Sequence, residues 1–106
     1  MSHSFLAGLF GARSEPGLEH LGFVLYTRPG CHLCELAWDR LRKEQARYRF
    51  RVSLVNVDAD TALAARYGER VPVVTVNGKQ RFSGGVNGVL LTRLLVAEAN
   101  RRGRQR

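Results

Sequence analysis

In the first half of the chain, the spacing of apolar and polar positions predicts two strands with a helix between them. Residues 21–27 are almost continuously apolar and end at Arg28, Pro29 and Gly30, as a buried strand followed by a turn does. Residues 31 to about 48 place apolar side chains three and four positions apart, with charged residues between them, which predicts an amphipathic helix. Residues 51–57 have the β-branched, partly alternating composition of a second strand. This strand-helix-strand unit predicts two parallel strands.

Two further helices are indicated by their caps and by apolar spacing. Asp60 is a good N-cap for a short helix, and Gly68 is placed to end it. Apolar side chains recur at helical spacing over residues 86–97, and Asn87 is a candidate N-cap for this last helix. The second half of the chain therefore contains two helices.

A hairpin is predicted between those two helices. Residues 71–76 and 79–82 have strand character and flank Asn77 and Gly78, a dipeptide that supplies the positive φ angles of a tight type I′ turn. The predicted order is βαβαββα, an α/β arrangement without internal repeats.

The length of 106 residues fits one domain. Residues 1–20 show no sustained period and are interpreted as a flexible N-terminal extension. The domain is predicted over residues 21–100, and residues 101–106 form a basic C-terminal tail.

Composition and charge narrow the possible partners. No window approaches the roughly 18 to 20 uninterrupted apolar residues of a membrane span, and the short apolar run near the N-terminus lacks the basic region that precedes it in a signal peptide. We therefore expect a cytoplasmic protein without a membrane partner.

The formal charge of +8 favours anionic partners. The arginines of residues 40–51 are spread over several faces of a helix, so we do not expect specific nucleic-acid binding, although a basic nucleic-acid accessory protein stays an alternative.

The two cysteines, Cys31 and Cys34, stand three positions apart at the predicted strand-to-helix turn. This spacing points to redox or metal chemistry, and a pair of inert core thiols is the third alternative. A closed zinc site needs about four ligands. There is no second cysteine pair, and of the three histidines only His32 is near, so we expect no metal.

A helix start makes a thiol reactive, because unpaired backbone N–H groups and the positive end of the helix dipole favour the thiolate. In Cys-X-X-Cys motifs the pKa of the first thiol falls from about 8.5 into a range of roughly 3.5 to 7.5. Cys31 is therefore the candidate nucleophile. Cys34 lies one turn later on the same side, where it would resolve the mixed disulfide, so that the pair forms a redox-active Cys31–Cys34 disulfide.

Two segments carry a family resemblance: residues 26–34, with the sequence Tyr-Thr-Arg-Pro-Gly-Cys-His-Leu-Cys, and Val71-Pro72-Val73. Over residues 21–97 the chain resembles glutaredoxin-like proteins of the thioredoxin superfamily, in particular a small bacterial group with a Gly-Cys-X-Leu-Cys core. The resemblance implies a thioredoxin-like fold, a four-stranded mixed sheet flanked by helices. It also implies a cis bond between Val71 and Pro72 beside the disulfide, where the backbone of Val71 pairs with the substrate chain. Cis is accessible at an X-Pro bond, although Pro72 is equally consistent with a proline at the entry of an edge strand.

The resemblance suggests further binding residues. Arg28 matches a basic residue that helps to bind glutathione, and its charge would also favour the thiolate; a solvated turn arginine is the alternative. Gly84 and Gly85 resemble a segment that binds a glutathione carboxylate at a helix start, but Asn87 replaces the acid of that segment, and a turn with an N-cap is the alternative. Independently of the resemblance, His32 is a candidate for tuning the thiol, because a protonated histidine next to Cys31 would favour the thiolate. A histidine that faces solvent is the alternative.

The sequence thus predicts a monomeric thiol–disulfide oxidoreductase without a bound cofactor. Its substrates would be disulfide-containing proteins or glutathione mixed disulfides, and its electrons would come from glutathione or from thioredoxin reductase. The main alternative is a thioredoxin-fold binding module that holds a partner protein or a glutathione-ligated iron–sulfur cluster.

Overall fold

The computed structural model describes residues 17–104 and contains the elements in the predicted order. They are β1 (Gly22–Thr27), α1 (His32–Tyr48), β2 (Arg51–Asn56), a 3-10 turn (Val57–Ala59), α2 (Thr61–Tyr67), β3 (Val73–Val76), β4 (Lys79–Ser83) and α3 (Gly88–Arg104). The strands form one sheet in the order β2-β1-β3-β4. The pair β1–β2 is parallel, whereas β1–β3 and β3–β4 are antiparallel, so the predicted four-stranded mixed sheet is confirmed.

The register of the strands brings three chain segments to one end of the sheet. Thr27 and Asn56, the last residues of β1 and β2, lie opposite each other. Val73, the first residue of β3, lies opposite Tyr26 of β1. The segments that follow β1 and β2 and the segment that precedes β3 therefore meet at this end, which we call the carboxyl end of β1.

Helices cover both faces of the sheet. Alternate residues of a strand point to opposite faces, and the odd-numbered Phe23 and Leu25 share the larger core with α1 and α3. The fully buried residues Leu41 of α1 and Leu95 of α3 belong to this core. On the other face Tyr26 packs against Tyr67 of α2, with ring centroids 4.5 Å apart. Burial of these apolar side chains fixes the position of α1 relative to β1.

The predicted helix starts are confirmed by their hydrogen bonds. The Asp60 carboxylate accepts from the backbone N–H groups of Ala62 and Leu63, at 2.8 and 3.1 Å. The Asn87 side chain accepts from the N–H of Leu90 at 3.0 Å. Each cap satisfies donors that the first turn of a helix leaves unpaired.

The hairpin turn is also confirmed. Asn77 and Gly78 have φ angles of 50° and 86°, both in the left-handed region. The Asn77 side chain accepts from the N–H of Gly22 at 2.7 Å and donates to the carbonyl of His20 at 3.2 Å. The turn therefore also holds the segment that enters β1.

The boundaries of the packed domain differ from the predicted ones. Leu18, predicted to lie in the N-terminal extension, is fully buried in the larger core, and its N–H donates to the carbonyl of Tyr48. Residues 101–104 continue α3, whereas they were predicted as a tail. Strand β3 begins at Val73 and not at residue 71, because Pro72 has no N–H for the ladder. The rest of the predicted extension, residues 1–16, and residues 105–106 of the predicted tail lie outside the described residues.

Between residues 17 and 104, none of the helices combines the length and the apolar character needed to cross a membrane.

Candidate active site

Cys31 stands at the carboxyl end of β1, immediately before α1. Gly30 has a φ of 77°, a left-handed conformation that glycine adopts without strain, and this conformation turns the chain from the strand into the helix. Cys31 is the N-cap of α1, and its Sγ accepts a hydrogen bond from the N–H of Cys34 at 3.1 Å. The first cysteine is therefore placed where helix N–H groups favour a negative sulfur.

Cys31 and Cys34 form a disulfide, with their Cα atoms 5.2 Å apart. Cys34 is only 2% exposed, whereas Cys31 is half-buried. An incoming sulfur can therefore reach Cys31 more easily than Cys34. The order of accessibility is the one that the assignment of Cys31 as nucleophile requires.

The predicted cis bond between Val71 and Pro72 is present. Because β3 begins at Val73 opposite Tyr26, Pro72 lies at the carboxyl end of β1, the end that also carries Cys31. The carbonyl of Pro72 accepts from the N–H of Gly84 at 2.8 Å, which ties this loop to the turn after β4. Pro72 is buried and Val71 is half-buried.

Arg28, predicted to contact glutathione, is already engaged by other groups of the chain. Its Nη2 and Nε lie 2.7 and 3.3 Å from Oδ1 of Asp58, and its Nη1 donates to the carbonyl of Gly68 at 2.7 Å. The hydrogen bond to Asp58, together with the charge of that carboxylate, raises the pKa of Arg28. The guanidinium therefore joins the loop before Cys31 to the 3-10 turn and to the end of α2.

Gly68 ends α2 as predicted, but by a different conformation. Its φ of −52° is right-handed, so it does not form a left-handed cap. A Cβ at this position would lie 2.5 Å from the carbonyl oxygen of Ala64 and 3.1 Å from Nη2 of Arg28. Glycine is needed here for the close approach of these neighbours.

Gly84, Gly85 and His32, also predicted at the site, lie in the turn before α3 and at the first position of α1. Gly84 and Gly85 form the turn between β4 and α3, with φ angles of 82° and 159°, and a Cβ at either position would meet no atom within 4 Å. His32 is 79% exposed, and its Nδ1 lies 3.8 Å from a carboxylate oxygen of Glu35. The roles of these three residues stay predictions.

Sequence reasoning missed a groove beside the buried cysteine. This groove, of about 390 Å³, is lined by Thr27, Cys34, Glu35, Trp38, Asp39 and Leu54. Trp38 is half-buried and forms part of the wall, and the Arg42 guanidinium lies 5.3 Å from its ring centroid. The i, i+4 spacings of Cys34 with Trp38 and of Glu35 with Asp39 on one helix were the available signal.

No group of three or more His, Cys, Asp or Glu side chains able to hold a metal ion occurs within residues 17–104.

The fold and the disulfide at its strand-to-helix turn define a thioredoxin-fold protein. Solved structures agree: a mutant thioredoxin from Halobacterium salinarum is 20% identical, with a TM-score of 0.56, over 82% of this chain and 77% of that chain. At this identity the likeness shows the fold.

Within that class, residues 23–96 match the family described as Glutaredoxin-like domain (DUF836), and the chain belongs to this family. The solution structure of the protein Ne2328 from Nitrosomonas europaea is 29% identical, with a TM-score of 0.61, over 70% of this chain and 89% of that one. The structural-genomics target protein XcR50 from X. campestris is 32% identical, with a TM-score of 0.59, over 71% and 96% of the two chains. A comparison with curated proteins gives no match. The family and the Cys31–Cys34 disulfide support a redox-type role.

Proposed function

We propose that the protein is a thiol–disulfide oxidoreductase that reduces protein disulfides or glutathione mixed disulfides through Cys31 and Cys34. The observation that carries this proposal is a disulfide whose half-buried sulfur caps a helix and whose other sulfur is buried one turn later. An inert pair of core thiols would have no need for an accessible member at a helix start.

In the reduced protein the Cys31 thiolate attacks one sulfur of the substrate disulfide. A bond forms between Cys31 and that sulfur, and the second substrate sulfur leaves as a thiolate that takes up a proton. The N–H of Cys34, which donates to the sulfur of Cys31, favours the charged form of this nucleophile.

Cys34 completes the exchange. After losing its proton it attacks the sulfur of Cys31, the Cys31–Cys34 bond forms, and the remaining substrate thiol is released. Two electrons have then passed from the protein dithiol to the substrate disulfide. The Cα–Cα distance of 5.2 Å lies within the range of about 4.4–6.8 Å that disulfides require, so the two sulfurs meet without a change of fold.

The substrate chain is proposed to lie along Val71 and Pro72. Strand β3 begins only at Val73, so the backbone of Val71 does not belong to the sheet ladder, and it lies at the end of the sheet that carries Cys31. A bound segment would pair with this backbone, as peptides do that extend a sheet. Glutathione or a reductase of the thioredoxin reductase type would return the disulfide to the dithiol.

The test uses two variants that differ only in which cysteine is replaced. Cys34→Ser should accumulate a mixed disulfide with a model protein disulfide or with oxidised glutathione, because the intermediate has lost its internal exit. Cys31→Ser should form no adduct at this site, because it lacks the nucleophile. Non-reducing gels and intact mass measure both outcomes.

The result that contradicts the proposal is an absence of adducts in both variants, together with a wild-type dithiol that does not reduce either substrate. A coloured purified protein under those conditions would favour the cluster-binding alternative.

A further inference from the structure

The charges around the disulfide contrast with the charge of the whole chain. The formal charge of the protein is +8, yet four of its nine acidic residues lie either in the groove beside Cys34 or near Arg28. These four are Glu35, Asp39, Asp58 and Glu69. Glu35 and Asp39 line the groove beside Cys34, Asp58 contacts Arg28, and Glu69 follows the glycine whose carbonyl Arg28 binds.

The cations at the same end of the sheet are turned toward groups of the chain itself. Arg28 binds Asp58 through two of its nitrogens. Arg70 donates to the carbonyl of Arg66 at 3.0 Å, and its guanidinium lies 5.7 Å from the ring centroid of Tyr67. A ligand carboxylate approaching Arg28 therefore competes with the Asp58 carboxylate for the guanidinium.

Asp58 is firmly positioned for its contact with Arg28. Its N–H donates to the side chain of Asn56 at 2.9 Å, which caps the 3-10 turn. Because Asp58 is covalently part of the chain and held in place, it competes with a free carboxylate at a high effective concentration. The side chains of Arg28 and Asp58 are 36% and 44% exposed, so the pair borders the solvent from which a substrate arrives.

From these contacts we infer that Asp58 is a specificity-determining residue. By binding the Arg28 guanidinium, Asp58 disfavours glutathione, a small anionic thiol, relative to protein thiols and disulfides. The inference rests on the proposed function and narrows its substrate class. Glutathione carries more carboxylates than ammonium groups and is repelled by the surrounding acids, whereas a neutral or basic protein segment is not.

The experiment compares two disulfides that differ in charge. The reduced protein is mixed with oxidised glutathione or with the diethyl ester of oxidised glutathione, in which the glycyl carboxylates are masked. In each reaction the two protein thiols give up two electrons and two protons, and the disulfide becomes two thiols. Alkylation quenching and intact mass give the second-order rate constants at low ionic strength, where charge effects are least screened. Dithiothreitol, an uncharged dithiol, corrects for the intrinsic reactivity of each disulfide.

The wild type is expected to react faster with the ester than with the acid after this correction. In Asp58→Asn the ester-to-acid ratio should fall about two- to fivefold, the range that an exposed ion pair supports. In Arg28→Met the ratio should rise, because Asp58 is then unpaired. Glu69→Gln removes the same charge without releasing Arg28 and should change the ratio less than about twofold.

The inference is overturned if the wild type reacts with the acid as fast as with the ester, or if Asp58→Asn does not exceed Glu69→Gln in its effect. If neither glutathione disulfide nor a protein disulfide oxidises the wild-type dithiol, the proposed function fails, and the inference fails with it.

Discussion

Replacing Asp60 tests whether its carboxylate holds the start of α2, the helix whose end binds Arg28. The carboxylate accepts two backbone N–H groups, those of Ala62 and Leu63. In Asp60→Ala both donors lose this partner and turn to water. Because α2 has only seven residues, few other interactions within the helix compensate.

The expected cost follows from measured N-caps. Removing such a cap lowers the free energy of unfolding by about 1 kcal/mol, within a range of about 0.5–2 kcal/mol. For a domain of this size, 1 kcal/mol corresponds to a fall in Tm of roughly 4–8 °C. Asp60→Asn keeps an oxygen that can accept the same hydrogen bonds, and asparagine is about as good an N-cap as aspartate, so this variant should unfold close to the wild type.

Urea unfolding followed by circular dichroism measures both variants against the wild type. An unchanged m-value with a lower midpoint for Asp60→Ala would show a loss of stability without a change in the surface exposed on unfolding. If Asp60→Ala unfolds at the wild-type midpoint, or if Asp60→Asn is destabilised as much as Asp60→Ala, the Asp60 carboxylate does not stabilise the start of α2.

Two further predictions concern stability. Leu41→Ala, at a fully buried position of α1, should lower the free energy of unfolding by about 2–5 kcal/mol. Leu36→Ala, on the same helix but at a residue that is 49% exposed, should lower it by less than about 1 kcal/mol. Similar losses for the two variants in urea unfolding would contradict the assignment of Leu41 to the core. Burial opposes the charged form of Glu98, but hydrogen bonds and charges from Arg101 and His20 outweigh it and leave its pKa lowered. The stabilising contribution of Glu98 is therefore present above the unfolded-state pKa and is lost as the pH falls through the folded-state pKa. The Tm of Glu98→Gln should fall less than the Tm of the wild type between about pH 7 and pH 3. Equal falls in Tm would contradict the lowered pKa of Glu98.

Local signals were sufficient to predict the order of the elements. The helical period was clear because each helix has one face in the core, whereas the central strands β1 and β3, covered on both faces, gave nearly continuous apolar runs. Asn77 and Gly78 identified the hairpin turn because few residue types accept positive φ angles. The placement of Cys31 before α1 followed from the same local pattern and defined the centre of the site.

Contacts between distant parts of the chain were harder to anticipate. Arg28 and Asp58 are thirty positions apart, and nothing local links them. They meet because β1 and β2 are parallel, with Thr27 beside Asn56, so that the segments after both strands share one end of the sheet. The resemblance identified Arg28 as a basic residue near the nucleophile but did not reveal the carboxylate that occupies it.

The burial of individual side chains also depended on tertiary packing. Leu18 has no periodic neighbours, and only its position beside the end of α1 places it in the core. Leu54 lies on the edge strand β2 and is 48% exposed, where it lines the groove beside Cys34. The β-branched, partly alternating composition of residues 51–57 did not show that β2 is an edge strand.

Alkylation of the reduced protein with a limiting amount of iodoacetamide tests whether Cys31 is the activated nucleophile. Tandem mass spectrometry of the peptide that contains both cysteines then assigns the label to Cys31 or Cys34 at increasing pH. The structure predicts that Cys31 is labelled first and that its labelling begins well below the pKa of about 8.5 of a free cysteine, because it is half-buried at a helix start while Cys34 is 2% exposed. Labelling of Cys34 before Cys31, or labelling of Cys31 only at the pH of an ordinary thiol, would contradict the assignment of Cys31 as the activated nucleophile.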